Sequence, residues 1–253
     1  MLFNCPSQQQ VPLLWELWKE AFGDEDEYLE IFYSKAFAPE RSICAISDDG
    51  RAVAALYWFD CTLRGEKIAY IFGVAVSESC RGQGYCRRMM EAACQHLAAD
   101  GYHGAVLVPA RAGLYPMYEK LGFSKCGGVT EKEFLSAAQP ETIRLIDERE
   151  YTRLRRKYLP ADSVVQEGEN IAFLAARAHL YAGQDFVFAF VPGMGEFVVE
   201  FLGNLQKAGG IVRALGREKL LFRTYGKEKP FAVYRPFDKG LLPPEYFGLP
   251  FDF

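Results

Sequence analysis

The sequence predicts an α/β protein of the α+β kind, in which a mixed, mostly antiparallel sheet is flanked by helices. Residues 1–135 would form this first domain, and residues 136–253 a smaller α+β domain whose order of elements echoes part of the first. Three observations carry this reading. The hydrophobic period changes from helical to alternating after residue 41. The hairpin signal Asp48-Asp49-Gly50 separates two of the alternating runs. An apolar strand over 68–76 then leads through Arg81-Gly82-Gln83-Gly84 into a long amphipathic helix.

Residues 9–37 read as helices, because Val11, Leu14, Trp15 and Trp18 recur at helical spacing. Tyr28, Leu29, Phe32 and Phe37 resume the pattern after the acidic stretch 24–27. Residues 42–46 and 52–59 are strands around the hairpin turn, with 61–63 extending the second. Residues 83–100 form the clearest helix, with Met89, Met90, Ala93, Cys94 and Leu97 on one side and Gly101 just past its end. A short buried strand follows at 105–108, a helix at 114–121 stopped by Gly122, and the start of a strand at 123–126. In the second half, 141–158 reads as a single highly charged helix whose charges belong in solvent. Beyond Pro160 come a helix at 171–178 and strands at 186–191 and 196–201 around Pro192-Gly193-Met194-Gly195, itself read as a hairpin turn. A helix at 202–215, weakened by Gly209-Gly210, and strands at 220–225 and 231–234 complete the pattern.

Composition narrows the function classes. At 253 residues and 50% hydrophobic, the chain can bury a sizeable core. A net charge of −4 argues against a nucleic-acid partner held by a basic surface. No apolar run reaches the length of a membrane span, and residues 1–6 lack a basic then apolar leader, so a cytoplasmic location is expected. The seven cysteines are scattered without metal-ligand spacing, which suits a reducing compartment, and no metal is expected. His96, His103 and His179 stand isolated along the chain.

The chemistry concentrates between strand and helix at 73–90. Glycines there let the backbone approach a ligand, and the first N–H groups of a helix have no intrahelical acceptor. With the positive end of the helix dipole and the charge of Arg81, this is a ready pyrophosphate cradle.

Arg81-x-x-Gly84-x-Cys86, preceded by Val74-Ala75-Val76, closely resembles the acetyl-CoA signature of the GNAT superfamily of N-acetyltransferases. That signature reads Gln/Arg-x-x-Gly-x-Gly/Ala, so Cys86 departs at the last position. The segment 114–123, carrying Tyr118-x-x-x-Gly122-Phe123, resembles the family's second hallmark. The resemblance spans about residues 1–130. It implies a GNAT-like sheet and acetyl-CoA as acyl donor, with no cofactor site of its own in the second domain. The backbone of Val74, Ala75 and Val76 would pair with the pantetheine arm. Backbone N–H groups from Arg81, Gly82, Gln83, Gly84, Tyr85 and Cys86 would hold the pyrophosphate. Tyr118 would protonate the departing thiolate, with Tyr115 one turn earlier as the alternative.

Where some family members carry a basic Glu on the strand, this chain has Tyr70, a poor base at neutral pH. Glu66, Asp60 and Glu119 remain open as substitutes, as does a water chain. The expected acceptor is a primary amine, of a small molecule first and of a peptide second, held between the first helices and the second domain. A homodimer stays open, and neither nucleic acid nor membrane is expected as partner. The competing reading is a non-catalytic acyl-CoA sensor. Trp15, Trp18, Phe22, Tyr57, Trp58 and Phe59 are read as core for the most part, Cys80 as structural, and the tail 249–253 as a segment that could enter the site.

Overall fold

The sheet begins where the period changes. In the computed structural model, which describes residues 2–193, 197–238 and 240–251, helices α1 (Val11–Phe22) and α2 (Asp26–Lys35) precede strand β1 (Ser42–Ile46). Then follow β2 (Ala52–Leu63), β3 (Glu66–Val76), α3 (Tyr85–Ala99), β4 (Gly104–Leu107), α4 (Tyr115–Lys120) and β5 (Ser124–Leu135). Next come β6 (Arg144–Leu145), α5 (Glu148–Tyr158), β7 (Val165–Gln166), α6 (Glu169–Ala175), β8 (His179–Ala182) and β9 (Phe186–Phe190). The chain continues through β10 (Phe197–Gly203), α7 (Ala208–Ala214), β11 (Lys219–Tyr225) and β12 (Lys229–Pro236). The fold is thus mixed α/β with a mostly antiparallel sheet flanked by helices.

The chain forms two compact units. One comprises Met1–Ser124 with Val233–Leu242, the other Lys125–Ala232 with Pro243–Phe253. A late segment that completes an early unit leaves no mark on local periodicity.

In the first unit, β1, β2 and β3 are antiparallel neighbours and β4 joins β3 in parallel after the α3 crossover. The end of β12 pairs antiparallel with β4, from Val233 opposite Leu107 to Pro236 opposite Gly104. Alternation along β2 and β3 sends residues to opposite faces. Tyr57 and Phe72 meet Trp18 of α1 and Phe32 of α2, with ring centroids 4.9–5.9 Å apart among these side chains. Leu56, Trp58, Ala69 and Ile71 face Met89, Met90, Ala93, Cys94 and Leu97 of α3. Each large apolar side chain buried in this way contributes about 1.5–3 kcal/mol.

The second unit uses the same order of connections. β8, β9 and β10 are antiparallel, β11 returns parallel to β10 after α7, and β5 pairs antiparallel with β11. Phe188, Phe201 and Phe222 pack with Ile211 and Val212 of α7. Two sequence expectations are corrected here. The helix over 141–158 begins only at Glu148, because the Asp147 side chain accepts the Glu150 N–H at 2.8 Å and caps it, while Arg144 and Leu145 pair with β8. The helix expected over 202–215 gives way to strand as far as Gly203. A Cβ there would lie 2.3 Å from the Asp185 carbonyl oxygen, and α7 starts at Ala208.

The charges of α5 are not all solvated either. Arg155 is buried and donates to both carboxylate oxygens of the equally buried Glu200, at 2.8 and 3.1 Å. Tyr151 and Tyr246 donate to the same carboxylate at 3.0 and 3.2 Å, and Arg155 also donates to the Gln166 carbonyl at 3.3 Å. Burial, then the Glu200 charge, pushes both phenols well above their ordinary range, so they remain donors. Gln166 in turn donates to the Leu249 carbonyl at 2.8 Å, which ties the tail of the chain into this unit. Met194, Gly195 and Glu196 of the expected turn and strand, and Asp252 and Phe253 of the tail, lie outside the described residues. Among the described residues no helix is long and apolar enough to cross a membrane.

Replacing Arg155 by Met leaves a buried carboxylate without its counter-charge. Urea denaturation of Arg155→Met should show a loss of about 3–5 kcal/mol, and most of it should return in Arg155→Met with Glu200→Leu. An undiminished midpoint in the single variant would contradict the pairing.

Candidate functional site

The site is built on a strand that changes partners. β3 and β4 pair through Ala69 opposite Ala105 and Tyr70 opposite Val106. Beyond that β4 ends at Leu107, whereas β3 runs on to Val76, so its edge facing β4 opens. On the other side the β2 register passes from Tyr57 opposite Phe72 to Ala55 opposite Ala75, which places one extra β3 residue in the ladder. Gly73 takes up this bulge with φ of +57°. A Cβ on Gly73 would sit 2.6 Å from Cζ3 of Trp18 and 2.9 Å from Cδ2 of Tyr57, so the α1 indole occupies that space. Val74 and Val76 are half-buried against the α3 core, and Ala75 is buried.

The bulged strand hands over to the glycine loop. Ser77 N–H donates to Val53 C=O at 2.9 Å, and a 3₁₀ turn spans Glu78–Cys80. Gly82 and Gly84 follow with φ of +75° and +79°, the latter as the N-cap of α3. No side chain caps this helix, and its first turn carries no acidic residue. Its leading N–H groups therefore face outward with the positive end of a 15-residue dipole behind them. A Cβ on Gly82 or Gly84 would meet no protein atom within 4 Å, so the space at the cradle is open.

The side chains of the signature brace the loop. Arg81 Nε donates to the Val76 carbonyl at 3.2 Å, and Gln83 Nε2 to the Ser79 carbonyl at 3.0 Å. Tyr85 and Cys86 turn half-buried into the core around α3, and Arg88 lies over the Tyr85 ring at 4.4 Å. Burial pushes the Cys86 thiol up, which suits a packing role. Tyr118 of α4 is buried at 4% exposure, edge-on to Phe123 with centroids 5.9 Å apart. Tyr115, one turn earlier, is half-buried against the same core. Tyr70 is buried and stacked on Phe59, whereas Glu66 and Glu119 are exposed and Asp60 accepts from the Tyr102 hydroxyl.

Residues 7–126 match the sequence model of the acetyltransferase (GNAT) domain. Over this segment the chain is similar to a GNAT acetyltransferase domain. The chain as a whole is similar in fold to a GCN5-related N-acetyltransferase from Kribbella flavida, with a TM-score of 0.70 at 15% identity over 94% of this chain and 71% of that one. A GCN5-related N-acetyltransferase from Anabaena variabilis gives 0.71 at 13% identity, over 94% and 73% of the two chains. Eis1 from Mycobacterium abscessus gives 0.64 at 12%, over 94% and 74%. No curated protein sequence matches the chain.

Two of the three histidines have acidic partners in the folded chain. His103 is bonded through Nδ1 to Asp238 and lies 3.2 Å through Nε2 from Glu66, and His96 is 3.3 Å from Asp100. Asp238 follows His103 by more than a hundred positions, so no local pattern could have shown it. Among the described residues no group of three or more His, Cys, Asp or Glu could hold a metal ion.

The bulge yields a comparison of two glycines. Gly101 has φ of +78° in open space, so Gly101→Ala should cost roughly 1–2 kcal/mol from backbone alone. Gly73→Ala adds a clash with the Trp18 ring and should cost about 1–3 kcal/mol more. Thermal unfolding of the two variants would show equal losses if the indole did not fill that space.

Proposed function

We propose that this protein is an acetyl-CoA-dependent N-acetyltransferase that acts on a primary amine, chiefly one carried by a small molecule. The observation that carries this reading is continuity: the open edge of β3 leads directly to the uncapped start of α3. The residues suit the donor. The edge of β3 that β4 leaves uncovered along Val74–Val76 suits the amides of a pantetheine arm, and outward N–H groups from Gly82 to Cys86 suit a pyrophosphate. The bound cosubstrate supplies an activated acetyl thioester.

The chain's own residues then have separable tasks. The β3 backbone orients the thioester and polarises its carbonyl, which favours attack by a neutral amine held beside it. As the new C–N bond forms and the C–S bond breaks, Tyr118 gives its phenol proton to the leaving sulfur. An acceptor that arrives as an ammonium ion gives one proton to water before attack and a second as the C–N bond forms, and water returns one proton to the Tyr118 phenolate. Tyr70 takes the place of a carboxylate base on the strand. The net charge of −4 is compatible with an acceptor that arrives as an ammonium ion.

The competing reading, an acyl-CoA sensor without turnover, draws on Tyr70, which is buried and stacked on Phe59. Calorimetry and an amine panel separate the two. Wild-type protein should bind acetyl-CoA in the micromolar range, about −8 kcal/mol, and Gly84→Asp should abolish it. Tyr118→Phe should keep that affinity and lower kcat by about 10²–10⁴-fold. Binding without turnover on any amine would favour the sensor, and absence of binding would remove both readings.

A further inference from the structure

The turn that presents the glycine loop is held from outside by a residue of α1. Glu20, on the last turn of that helix, accepts two hydrogen bonds at the same oxygen, Oε1. Ser77 Oγ donates at 3.0 Å and the Glu78 backbone N–H at 2.6 Å. Both donors belong to the short link between the end of β3 and the cradle, 57 and 58 positions along the chain. Charge-assisted bonds of this kind, a carboxylate on a backbone N–H, are roughly twice as strong as neutral ones.

Packing does not do this work here. A cavity of about 460 Å³ lies between Leu17 and Glu20 of α1 and Val53, Ser79 and Cys80 across from them. The link, with Ser77 also in the lining, therefore borders an open cleft on its α1 side. Among the described residues, Ser77 N–H to Val53 C=O and the two bonds to Glu20 tie it to β2 and α1. The bonds from Arg81 and Gln83 stay within the strand end and loop, so they shape the loop and do not anchor it to α1.

The sign of the charge sharpens the point. A carboxylate near a site for an anionic diphosphate opposes binding electrostatically, so its presence there calls for a compensating role. We propose that Glu20 is a positioning residue for the acyl-CoA cradle: it fixes the Ser77–Cys80 turn so that the N–H groups from Gly82 to Cys86 converge, and thereby sets cofactor affinity without touching the cofactor. This rests on the reading of the loop as a pyrophosphate site. A loop already ordered before binding does not lose that freedom on binding, which is the general source of such a gain.

The test is acetyl-CoA titration of full-length wild type, Glu20→Ala, Glu20→Gln and Ser77→Ala, with steady-state kinetics on an accepted amine. Glu20 is exposed, so its variants should fold. Glu20→Ala should weaken acetyl-CoA binding about tenfold and raise its KM by the same factor, with kcat at saturating cofactor within twofold of wild type. Glu20→Gln keeps an acceptor at Oε1 and should recover most of the affinity, and Ser77→Ala should fall between. If Glu20 acted only as a charge, both Glu20 variants would bind acetyl-CoA equally or more tightly than wild type, and the proposal fails. Equal affinity of Glu20→Ala and wild type also overturns it, as does a loss of kcat with KM unchanged. Wild type that does not bind acetyl-CoA overturns the pyrophosphate reading itself, and this inference with it.

Discussion

Two parallel strands that part after Tyr70 and Val106 create a demand that the rest of the first unit answers. Backbone N–H and C=O groups in a sheet need partners, and the stretch of β3 beyond Tyr70 has none from β4. A ligand arm with alternating amides is one such partner, and water is the other. The bulge at Gly73 re-aims that stretch, and it is affordable only because the residue has no side chain and the Trp18 ring fills the space instead. α1 is thereby coupled to the strand at two points, through Trp18 at the bulge and through Glu20 at the turn.

The two units solve the same packing problem by different means. In the first, helices α1 and α2 meet the sheet through aromatic rings, Trp18, Phe32, Tyr57 and Phe72, whose contacts are non-polar and tolerant of small shifts. In the second, α5 meets β10 through Arg155 and Glu200, with Tyr151, Tyr246 and Gln166 completing the bonds. A buried pair of this kind adds little net stability over an apolar isostere. It is directional, however, and it fixes where α5 and the segment around Tyr246 must lie.

Much of this was legible in the sequence where the signal is local. The alternating runs at 42–46 and 52–63, the helix of α3 with Gly101 behind it, and Gly82 and Gly84 ahead of it are short-range patterns, and they hold. The position of Gly73 in a bulge was not legible, because a lone glycine in a strand does not say which neighbour fills its space. β8 was missed because four residues, His179–Ala182, carry too little alternation. Local pattern puts Arg155 in solvent because its partner, Glu200, is 45 positions away. Nothing local distinguishes Glu20 from other acidic residues, and only the folded chain brings Ser77 and Glu78 to it.

The return of Val233–Leu242 to the first unit has a bearing on how the chain is made. During synthesis, β4 emerges without its β12 neighbour, which follows about 130 residues later. At roughly 5–20 residues per second the ribosome leaves that edge bare for several seconds or more. Gly104–Leu107 is wholly buried in the finished protein, so an apolar strand edge is exposed throughout that interval. Bare edges of this kind pair readily with other chains. The first unit is therefore the one whose nascent form most needs shielding, although it is the first to be translated.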